Sequence, residues 1–582
     1  MSNLIQAARE QVAALTQSAY EKAAAAGVLP AGAQIQAKVD IPKDVSHGDY
    51  ASSFAMAAAK ALKKSPRDIA QALLDNLDLE GSYFNHAEIA GPGFLNFTLG
   101  GAWFAQVLTD VEDEGMTYGA TDEGKGEKVM VEFVSANPTG PMHMGNARGG
   151  VLGDSLANVL NRAGYDTWKE FYVNDAGNQI HKFAESIHAR YMQLILGEEG
   201  FEFPESGYHG DDIKELAQAF YDANGDKYKD APEAEWLEPM SEFGLKVNIP
   251  KMKADLQRYQ IEYDEWFYES TLHDSGAVAE TVQLLSDKGW TYEEDGALWL
   301  KTSDLLRKKF EAEGKSEKQI EKLELKDDVL RRANGFYTYF AADIAYHRNK
   351  LETRGFDKAI NIWGADHHGH VARLQAALDG LGLDGSHRLI VVLMQLVNLL
   401  QDGKPVRMSK RSGKAIALHD LLDEVSVDAA RYFFNNSKPT SPVDFDLDLA
   451  VRQDSDNPVY YVQYAHARIC SLVARLAEEG IAVPAAADVD ASLLTSPEEL
   501  ALLKDLARFP EELKLAAREY DPSQLNRYMT ALAAGFHRFY NADRIKGEAL
   551  ELAQARLKLA DSARAVLANG LNIIGVAAPE KM

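Results

Sequence analysis

The sequence predicts a multidomain α/β protein whose central domain contains a parallel β-sheet. At 582 residues the chain is long enough for roughly three to five domains, and a hydrophobic content of 46% suffices for several cores. Strand-like apolar runs alternate with helical patterns in its middle, which is typical of a parallel sheet covered by helices. We expect an α+β domain at 1–110 and, from about 111 onwards, the parallel-sheet domain with a helical insertion around 190–330.

The first 110 residues combine helical patterns with short strands. One strand follows the turn Gly91-Pro92-Gly93 and contains Phe94 and Asn96. An aromatic ring beside an amide suits stacking and edge recognition of an unpaired nucleic-acid base. The alternative is that the ring belongs to the core and Asn96 to a turn.

The central domain opens with a strand, a Gly/Pro-rich turn and a helix. An apolar run ending near Glu132 predicts a buried strand, and the turn that starts at Asn137 precedes a helical pattern. In an open α/β sheet this junction lies at the carboxyl ends of the strands, where helix amides favour a phosphate. A nucleotide site is therefore the first hypothesis.

Two common phosphate loops do not fit this junction. A P-loop needs Lys and then Ser or Thr after its glycines, whereas Asn146 and Ala147 follow Gly145, and the dinucleotide fingerprint is absent. His143 remains, because a histidine at a helix N-terminus can donate hydrogen bonds to a triphosphate while Gly145 admits a base or ribose. The alternative is a capped turn with a surface histidine.

Further polar groups follow later strands and helices of the same domain. A helix over 336–347 would place Tyr339 and Asp343 on one face. A strand at 359–363 leads into Asp366, His367 and His368, but zinc-site spacing and cysteine ligands are missing. Contacts to ATP or ribose are therefore favoured over zinc, and we expect no tightly bound metal.

A basic loop at 404–414 contrasts with the formal net charge of −27. The acidic balance disfavours non-specific nucleic-acid binding, so a local cluster of lysine and arginine is informative. Adenylyl transfer builds charge on the α-phosphate and on the departing pyrophosphate, and Lys410, two residues after Met408, is placed in a loop that can stabilise this charge. Taken alone, such a loop is usually a solvated surface.

Targeting and redox signals favour a reducing cytoplasm. Cys470 is the single cysteine, which excludes an internal disulfide, and the N-terminal segment has the pattern of an amphipathic helix. No apolar run approaches the length of a membrane span, so no membrane partner is expected.

Two motifs together resemble the paired signatures of class I aminoacyl-tRNA synthetases: His-x-Gly-x after the first strand and Met-Ser-Lys after the last. The segments VEFVSANPTGPMHMGNARGG, YVNDAGNQI, GFYTYFAADIAYH, WGADHHGH and NPVYYVQYAHARI are similar to blocks of the arginyl-tRNA synthetases. The resemblance implies a Rossmann-like catalytic domain at 111–453, an N-terminal domain that contacts the elbow side of tRNA, and an all-α anticodon-binding domain at 454–582. It also implies L-arginine, ATP with Mg²⁺ and the tRNA for arginine as ligands, and a monomer.

The resemblance assigns roles to residues that match the family's motifs. The arginine-binding set is Glu132, Asn137, Tyr339 and Asp343. The ATP-binding set is His143, Gly145, Asn146, Asp366, His367, His368, Met408 and Lys410, of which His143 and Lys410 are the catalytic candidates. The tRNA-binding set is Phe94, Asn96, Tyr460, Tyr464, His537, Tyr540 and Met582, and the helical domain adds His466, Tyr528 and Phe539 as possible stacking surfaces. Most of the aromatic side chains in the helical domain are equally plausible as core.

Physical chemistry agrees with the arginine set, since a guanidinium needs planar carboxylate acceptors and a buried carboxylate needs a cation. The alternative for Glu132 and Asp343 is pairing with an internal arginine. Asn146 replaces the second histidine of the first class I signature, and Arg407 replaces the first lysine of the second signature. Asparagine keeps one amide donor without a charge, and arginine keeps the charge with a different shape.

The implied reaction forms arginyl-adenylate and then transfers arginine to the terminal adenosine of tRNA, and the family implies that activation needs tRNA. Two other functions stay open at this point. One is adenylyl transfer to a different small molecule, although simpler nucleotidyltransferases lack the helical C-terminal domain. The other is a catalytically silent RNA-binding paralogue, against which the intact Glu132, His143, Asp343 and Lys410 argue.

Overall fold

The computed structural model of the chain describes residues 3–42, 44–406 and 416–582. Arg407, Met408 and Lys410 of the predicted basic loop lie outside the described residues. The architecture confirms the predicted fold class, with a parallel-sheet domain between an α+β domain and an all-α domain.

The N-terminal domain packs helices against a four-stranded antiparallel sheet. Its strands are β1 (Val39–Asp40), β2 (Tyr50–Ser52), β3 (Phe84–Ala90) and β4 (Phe94–Leu99), and its helices are α1 (Leu4–Ala25), α2 (Phe54–Leu62), α3 (Pro66–Leu74) and α4 (Gly101–Glu114). The strand order is β1-β2-β4-β3. Between β3 and β4, Gly93 has a φ of +135°, and a Cβ there would meet the Pro66 backbone at 2.9 Å, so the turn requires glycine.

The strands of the central domain form three sheets. They are β5 (Lys128–Glu132), β6 (Asp166–Val173), β7 (Glu265–Tyr268), β8 (Thr291–Glu294), β9 (Ala297–Leu300), β10 (Asp328–Arg331), β11 (Lys358–Gly364), β12 (Leu389–Met394), β13 (Val397–Gln401), β14 (Lys404–Val406) and β15 (Val443–Asp446). The main sheet is parallel throughout, with the order β12-β11-β5-β6-β7. Because β5 is central, Val129 to Glu132 are buried, which explains its continuous apolar run.

Helices cover both faces of this sheet and fill the insertion. They are α5 (Met144–Arg162), α6 (Asn178–Leu196), α7 (Asp211–Asn224), α8 (Glu233–Arg258), α9 (Ser270–Asp274), α10 (Ala277–Asp287), α11 (Thr302–Ala312), α12 (Glu317–Glu321), α13 (Tyr339–Arg348), α14 (His368–Leu381), α15 (Gly385–Arg388), α16 (Leu418–Glu424), α17 (Val427–Phe434) and α18 (Leu447–Ala450). The segment predicted as a helical insertion also carries β7 of the main sheet and the antiparallel sheet β10-β9-β8. These strands are short and carry charged residues, so their sequence does not distinguish them from the surrounding helical patterns.

The C-terminal domain is a bundle of helices joined to the central domain by buried polar contacts. Its helices are α19 (Pro458–Glu478), α20 (Pro497–Ala507), α21 (Phe509–Arg518), α22 (Ser523–Ala542) and α23 (Leu550–Ile573). The buried guanidinium of Arg431 donates to Asp154 of α5, to the Tyr259 carbonyl at 3.1 Å and to the Ile574 carbonyl at 2.9 Å. This residue therefore ties the sheet domain to the end of the bundle. Among the described helices, none is long and apolar enough to cross a bilayer.

Candidate active site

The strand-turn-helix junction at the carboxyl end of β5 is the centre of the site. Its backbone is strained, because Val134 and Ser135 have φ values of +68° and +42°. Such conformations cluster at functional sites, where the surrounding structure holds them in place. After the turn, α5 packs so closely on the junction that a Cβ at Gly153 would meet the Phe133 ring at 2.1 Å.

His143 is the N-cap of α5, and Asn146 completes a capping box. Nδ1 of His143 accepts from the Gly145 amide at 3.1 Å, while Oδ1 of Asn146 accepts from the His143 amide at 3.0 Å. Because Nδ1 is an acceptor, the proton of the neutral ring lies on Nε2, which is left as a donor. Burial lowers the pKa of His143, which favours this neutral ring. Asn146 thus has the structural role of completing the helix cap. Its position three residues after His143 is the spacing that a capping box requires.

A cavity of about 780 Å³ opens beside this junction. It lies at the carboxyl ends of β5 and β11, against the N-terminal turns of α13 and α14. The side chains at its wall that carry polar or aromatic groups are Glu132, Ser135, Tyr172, Tyr339, Phe340, Asp343, Tyr346, His347, Asn361, Trp363, Asp366, His367, His370 and Arg373. Three predicted arginine-binding residues, Glu132, Tyr339 and Asp343, are therefore brought together.

Glu132 is buried and already paired within the chain. Its Oε2 lies 2.5 Å from Nζ of Lys350 and 3.0 Å from Nδ2 of Asn361, its partner in register on β11. Its Oε1 accepts from the Ser135 hydroxyl at 2.9 Å. The fully buried Lys350 belongs to a π-helical segment, Asn349–Thr353, that continues α13. Glu132 thus pairs with an internal lysine, whereas the alternative considered from the sequence was an internal arginine.

His347 extends this buried network below the cavity. Its Nδ1 lies 2.8 Å from the Asp343 carbonyl and its Nε2 lies 2.9 Å from Nδ2 of Asn361. Burial lowers the pKa of His347 to about 4, and the charge of Lys350 acts in the same direction. The ring is therefore neutral at pH 7, with Nδ1 donating and Nε2 accepting.

Asp343 is the carboxylate that faces the cavity, with 32% of its side chain exposed. Its Oδ2 lies 2.6 Å from Nε2 of His370. Burial raises the pKa of this carboxyl, but the hydrogen bond from His370 and the nearby charges outweigh burial and leave the pKa below its ordinary value. Tyr339, one helical turn earlier on α13, is exposed at the rim. A negative group thus faces a space large enough for a small ligand.

A second cavity of about 500 Å³ adjoins the first, and the two share Val134 and Ser135. It contains His143 and Asn146, and also Asn137, which is therefore separated from the other predicted arginine-binding residues. The insertion supplies the opposite wall, where burial raises the pKa of Asp212. Gly145 contributes the backbone amide that fixes His143.

The residues predicted to contact adenosine lie at the start of α14. Asp366 and His367 are exposed and line the larger cavity, whereas His368 is the first residue of the helix and is not part of the wall. Among the described residues, no group of three or more His, Cys, Asp or Glu side chains is arranged to hold a metal.

Several predicted tRNA-binding residues meet in the C-terminal domain. Tyr460, Tyr464 and His537 line a cavity of about 490 Å³, with the two tyrosine rings stacked at 6.1 Å. Tyr540 lies beside this cavity under the guanidinium of Arg468, 4.4 Å from the ring centre.

The remaining nucleic-acid candidates differ in exposure. Met582 is exposed, Phe94 is half-buried, and Asn96 is buried in β4. His466, Tyr528 and Phe539 are buried in the bundle, so their interpretation as stacking surfaces was wrong. Helical periodicity alone does not separate these core positions from the cavity wall.

The sequence interpretation missed several polar residues of the site. Among them are His347, Lys350, Asn361, His370 and Arg373. Lys350 gave no sequence signal, because it stands among the polar residues Arg348, Asn349 and Glu352 and its burial becomes visible only in the fold.

Three family models match successive parts of the chain. They are described as "Arginyl tRNA synthetase N terminal domain" for residues 6–99, "tRNA synthetases class I (R), catalytic domain" for 108–450, and "DALR anticodon binding domain" for 462–582. An arginine–tRNA ligase of Caldanaerobacter subterraneus subsp. tengcongensis is 50% identical over 100% of both chains, and one of Acetivibrio thermocellus is 47% identical over 100% of both. The structure of Thermus thermophilus arginyl-tRNA synthetase shares the fold, with a TM-score of 0.69, 23% identity, and coverage of 98% of this chain and 99% of that one.

Proposed function

The chain belongs to the arginyl-tRNA synthetase family, and we propose that it activates L-arginine with ATP and transfers it to tRNA. The observation that carries this proposal is the carboxylate of Asp343, which faces the larger cavity next to the histidine-capped start of α5. One cavity has the charge for a guanidinium, and the other has the donors for phosphate. The two cavities share Val134 and Ser135, so the two ligands would lie side by side in this proposal.

The larger cavity takes the arginine side chain in this proposal. Because Lys350 neutralises Glu132, the remaining formal charge of this pair of carboxylates comes from Asp343. A single guanidinium supplies the matching positive charge, and its planar fork suits a carboxylate. Glu132 acts as a further acceptor held in place by its partners, and Tyr339 closes the rim. Asn137, on the wall of the second cavity, is placed for the polar end of the amino acid.

The second cavity and the start of α14 take ATP. The positive end of α5 attracts phosphate oxygens, and Nε2 of His143 donates to one of them. Gly145 and Asn146 fix the histidine, while Asp366 and His367, at the start of α14 on the wall of the larger cavity, are proposed to contact adenosine. The predicted roles of His368, Met408 and Lys410 remain part of the proposal, and the latter two lie outside the described residues.

Positioning and charge stabilisation account for the chemistry. The arginine carboxylate attacks the α-phosphate, which forms arginyl-adenylate and releases pyrophosphate. A ribose hydroxyl of the terminal adenosine then attacks the arginyl carbonyl and releases AMP. Neither step needs a protein nucleophile, because holding the reactants together supplies much of the rate. Mg²⁺ bound to ATP would neutralise phosphate charge, and the described side chains offer no dedicated site for it.

The C-terminal cavity is proposed to hold unpaired anticodon bases. Tyr464 and His537 offer ring faces, and stacking on such faces tolerates any base. The Phe94 side of the N-terminal sheet and the end of the chain at Met582 are further proposed contacts. The division at 1–110, 111–453 and 454–582, the monomeric state and the cytoplasmic location also remain proposals; the ranges of the three family models support the first.

A charging assay tests the function directly. Purified protein, ATP, labelled arginine and tRNA should give acid-precipitable arginyl-tRNA, and omission of either ATP or tRNA should abolish the signal. Failure to charge tRNA despite arginine-dependent use of ATP would favour adenylyl transfer to another acceptor. Absence of both activities would favour a silent RNA-binding paralogue.

A further inference from the structure

His370 and Arg373 lie on α14 beside the carboxylate that faces the larger cavity. The hydrogen bond from Nε2 of His370 to Oδ2 of Asp343 is 2.6 Å long, and it is the one donor that the described residues supply to this carboxylate. The other oxygen, Oδ1, is therefore left for a ligand.

Arg373 determines which nitrogen of His370 carries the proton. Its Nη2 lies 3.4 Å from Nδ1 of His370, and a guanidinium can donate but never accept. Nδ1 must therefore accept, so the proton of the neutral ring is on Nε2, where it is donated to Asp343.

His370 and Arg373 are held in place by contacts on three sides. Nη1 of Arg373 lies 2.6 Å from Oδ1 of Asp328 on β10, and its Nε donates to the Gly369 carbonyl at 3.2 Å. The rings of Phe340 and Trp363 lie 5.5 and 5.6 Å from the His370 ring. The series Asp328, Arg373, His370, Asp343 thus connects β10, α14 and α13 through fixed donors and acceptors.

We propose that His370 and Arg373 are positioning residues for the substrate guanidinium. They hold the plane of the Asp343 carboxylate so that Oδ1 faces the cavity before the ligand arrives. A preorganised carboxylate loses little side-chain entropy on binding, which strengthens a bond that depends on geometry. This inference rests on the proposed function, since it concerns the affinity for arginine.

The test compares H370A and H370Q, because glutamine retains an N–H donor near the position of Nε2. KM is measured separately for arginine and for ATP, together with kcat and the thermal midpoint. H370A should raise the KM for arginine by about 10- to 100-fold, the effect of losing one hydrogen bond to a charged group. The KM for ATP should stay within about twofold, and H370Q should recover most of the loss. R373M should give a smaller increase, because both ring tautomers then become available.

The matched control is H387A, which removes an exposed histidine paired with Asp384 at 2.7 Å on α15. It should leave both KM values unchanged. An unchanged KM for arginine in H370A, or equal losses for arginine and ATP that H370Q does not restore, would overturn the inference. Wild-type protein that does not use arginine would instead overturn the proposed function, so the two failures are distinguishable.

Discussion

The Nζ atom of Lys350 lies 2.5 Å from Oε2 of Glu132, and both side chains are buried below the larger cavity. Glu132 also accepts from Asn361 and Ser135, so its carboxylate is held from both oxygens. A buried ion pair of this kind fixes geometry more than it stabilises the fold. In this site it neutralises Glu132, while the charge of Asp343 stays available to a substrate.

Replacing Lys350 by methionine should destabilise the central domain. The change leaves the buried carboxylate of Glu132 without its cation, at a cost of about 3–5 kcal/mol. Calorimetry of the unfolding transitions should show a lower midpoint for K350M. The double variant K350M/E132Q should recover most of this loss, because no buried charge is then left unpaired. A double variant no more stable than K350M would contradict this explanation.

Replacing Asp343 by asparagine should weaken arginine binding selectively. The amide keeps the shape but loses the charge, and removing one partner of a desolvated ion pair costs about 2–5 kcal/mol. We expect the KM for arginine to rise about 100-fold or more, with the KM for ATP nearly unchanged, in steady-state charging assays. D384N, which changes the exposed N-cap residue of α15, serves as the control. A wild-type KM for arginine in D343N would show that the guanidinium binds elsewhere.

His143 combines a structural and a catalytic role that two variants should separate. In H143N the new Oδ1 can still accept from the first turn of α5, so the helix cap survives while the Nε2 donor is lost. We expect a wild-type thermal midpoint with a kcat lowered by about 10²- to 10³-fold. H143A should show the same kinetic loss. Its thermal midpoint should also be lower, because the lost helix cap costs about 1 kcal/mol of stability. Wild-type kcat in H143N would remove His143 from the chemistry.

His347 should make stability depend on pH in the acid range. Its pKa is about 4 in the folded chain and near 6.5 in the unfolded chain, so the unfolded state binds more protons between these values. The contribution of His347 to the free energy of unfolding should therefore decrease by about 3 kcal/mol as the pH decreases from 7 to 4. Denaturant titrations at several pH values in this range should show that the free energy of unfolding depends less steeply on pH in H347Q than in wild type. Equal slopes would mean that another group carries the dependence.

The sequence predicts the parts of the site that local pattern determines. A few adjacent residues suffice to predict the apolar run of β5, the break at Asn137 and the cap at His143. The structure has a strand, a turn and a helix there. The i, i+4 spacing likewise predicts that Tyr339 and Asp343 share the face of α13 that borders the cavity. Both predictions depend on short-range periodicity.

Long-range pairing explains what the sequence does not reveal. Lys350 is 218 positions from Glu132, and the π-helical segment that aims its side chain leaves no clear periodic signal. The link from Arg373 to Asp328 likewise depends on a strand hidden among helical patterns. The buried ring of Tyr528 and the accessible ring of Tyr464 have similar local patterns, and tertiary packing alone separates them.

The most direct test of the account is ATP–pyrophosphate exchange with each of the twenty amino acids, with and without tRNA. We expect exchange with arginine and with no other amino acid, and comparing the reactions with and without tRNA shows whether the exchange requires tRNA. D343N should abolish the exchange at low arginine concentration and regain part of it at high concentration. Exchange stimulated by another amino acid, or no exchange under any condition, would contradict the assignment of Asp343 as the partner of the substrate guanidinium.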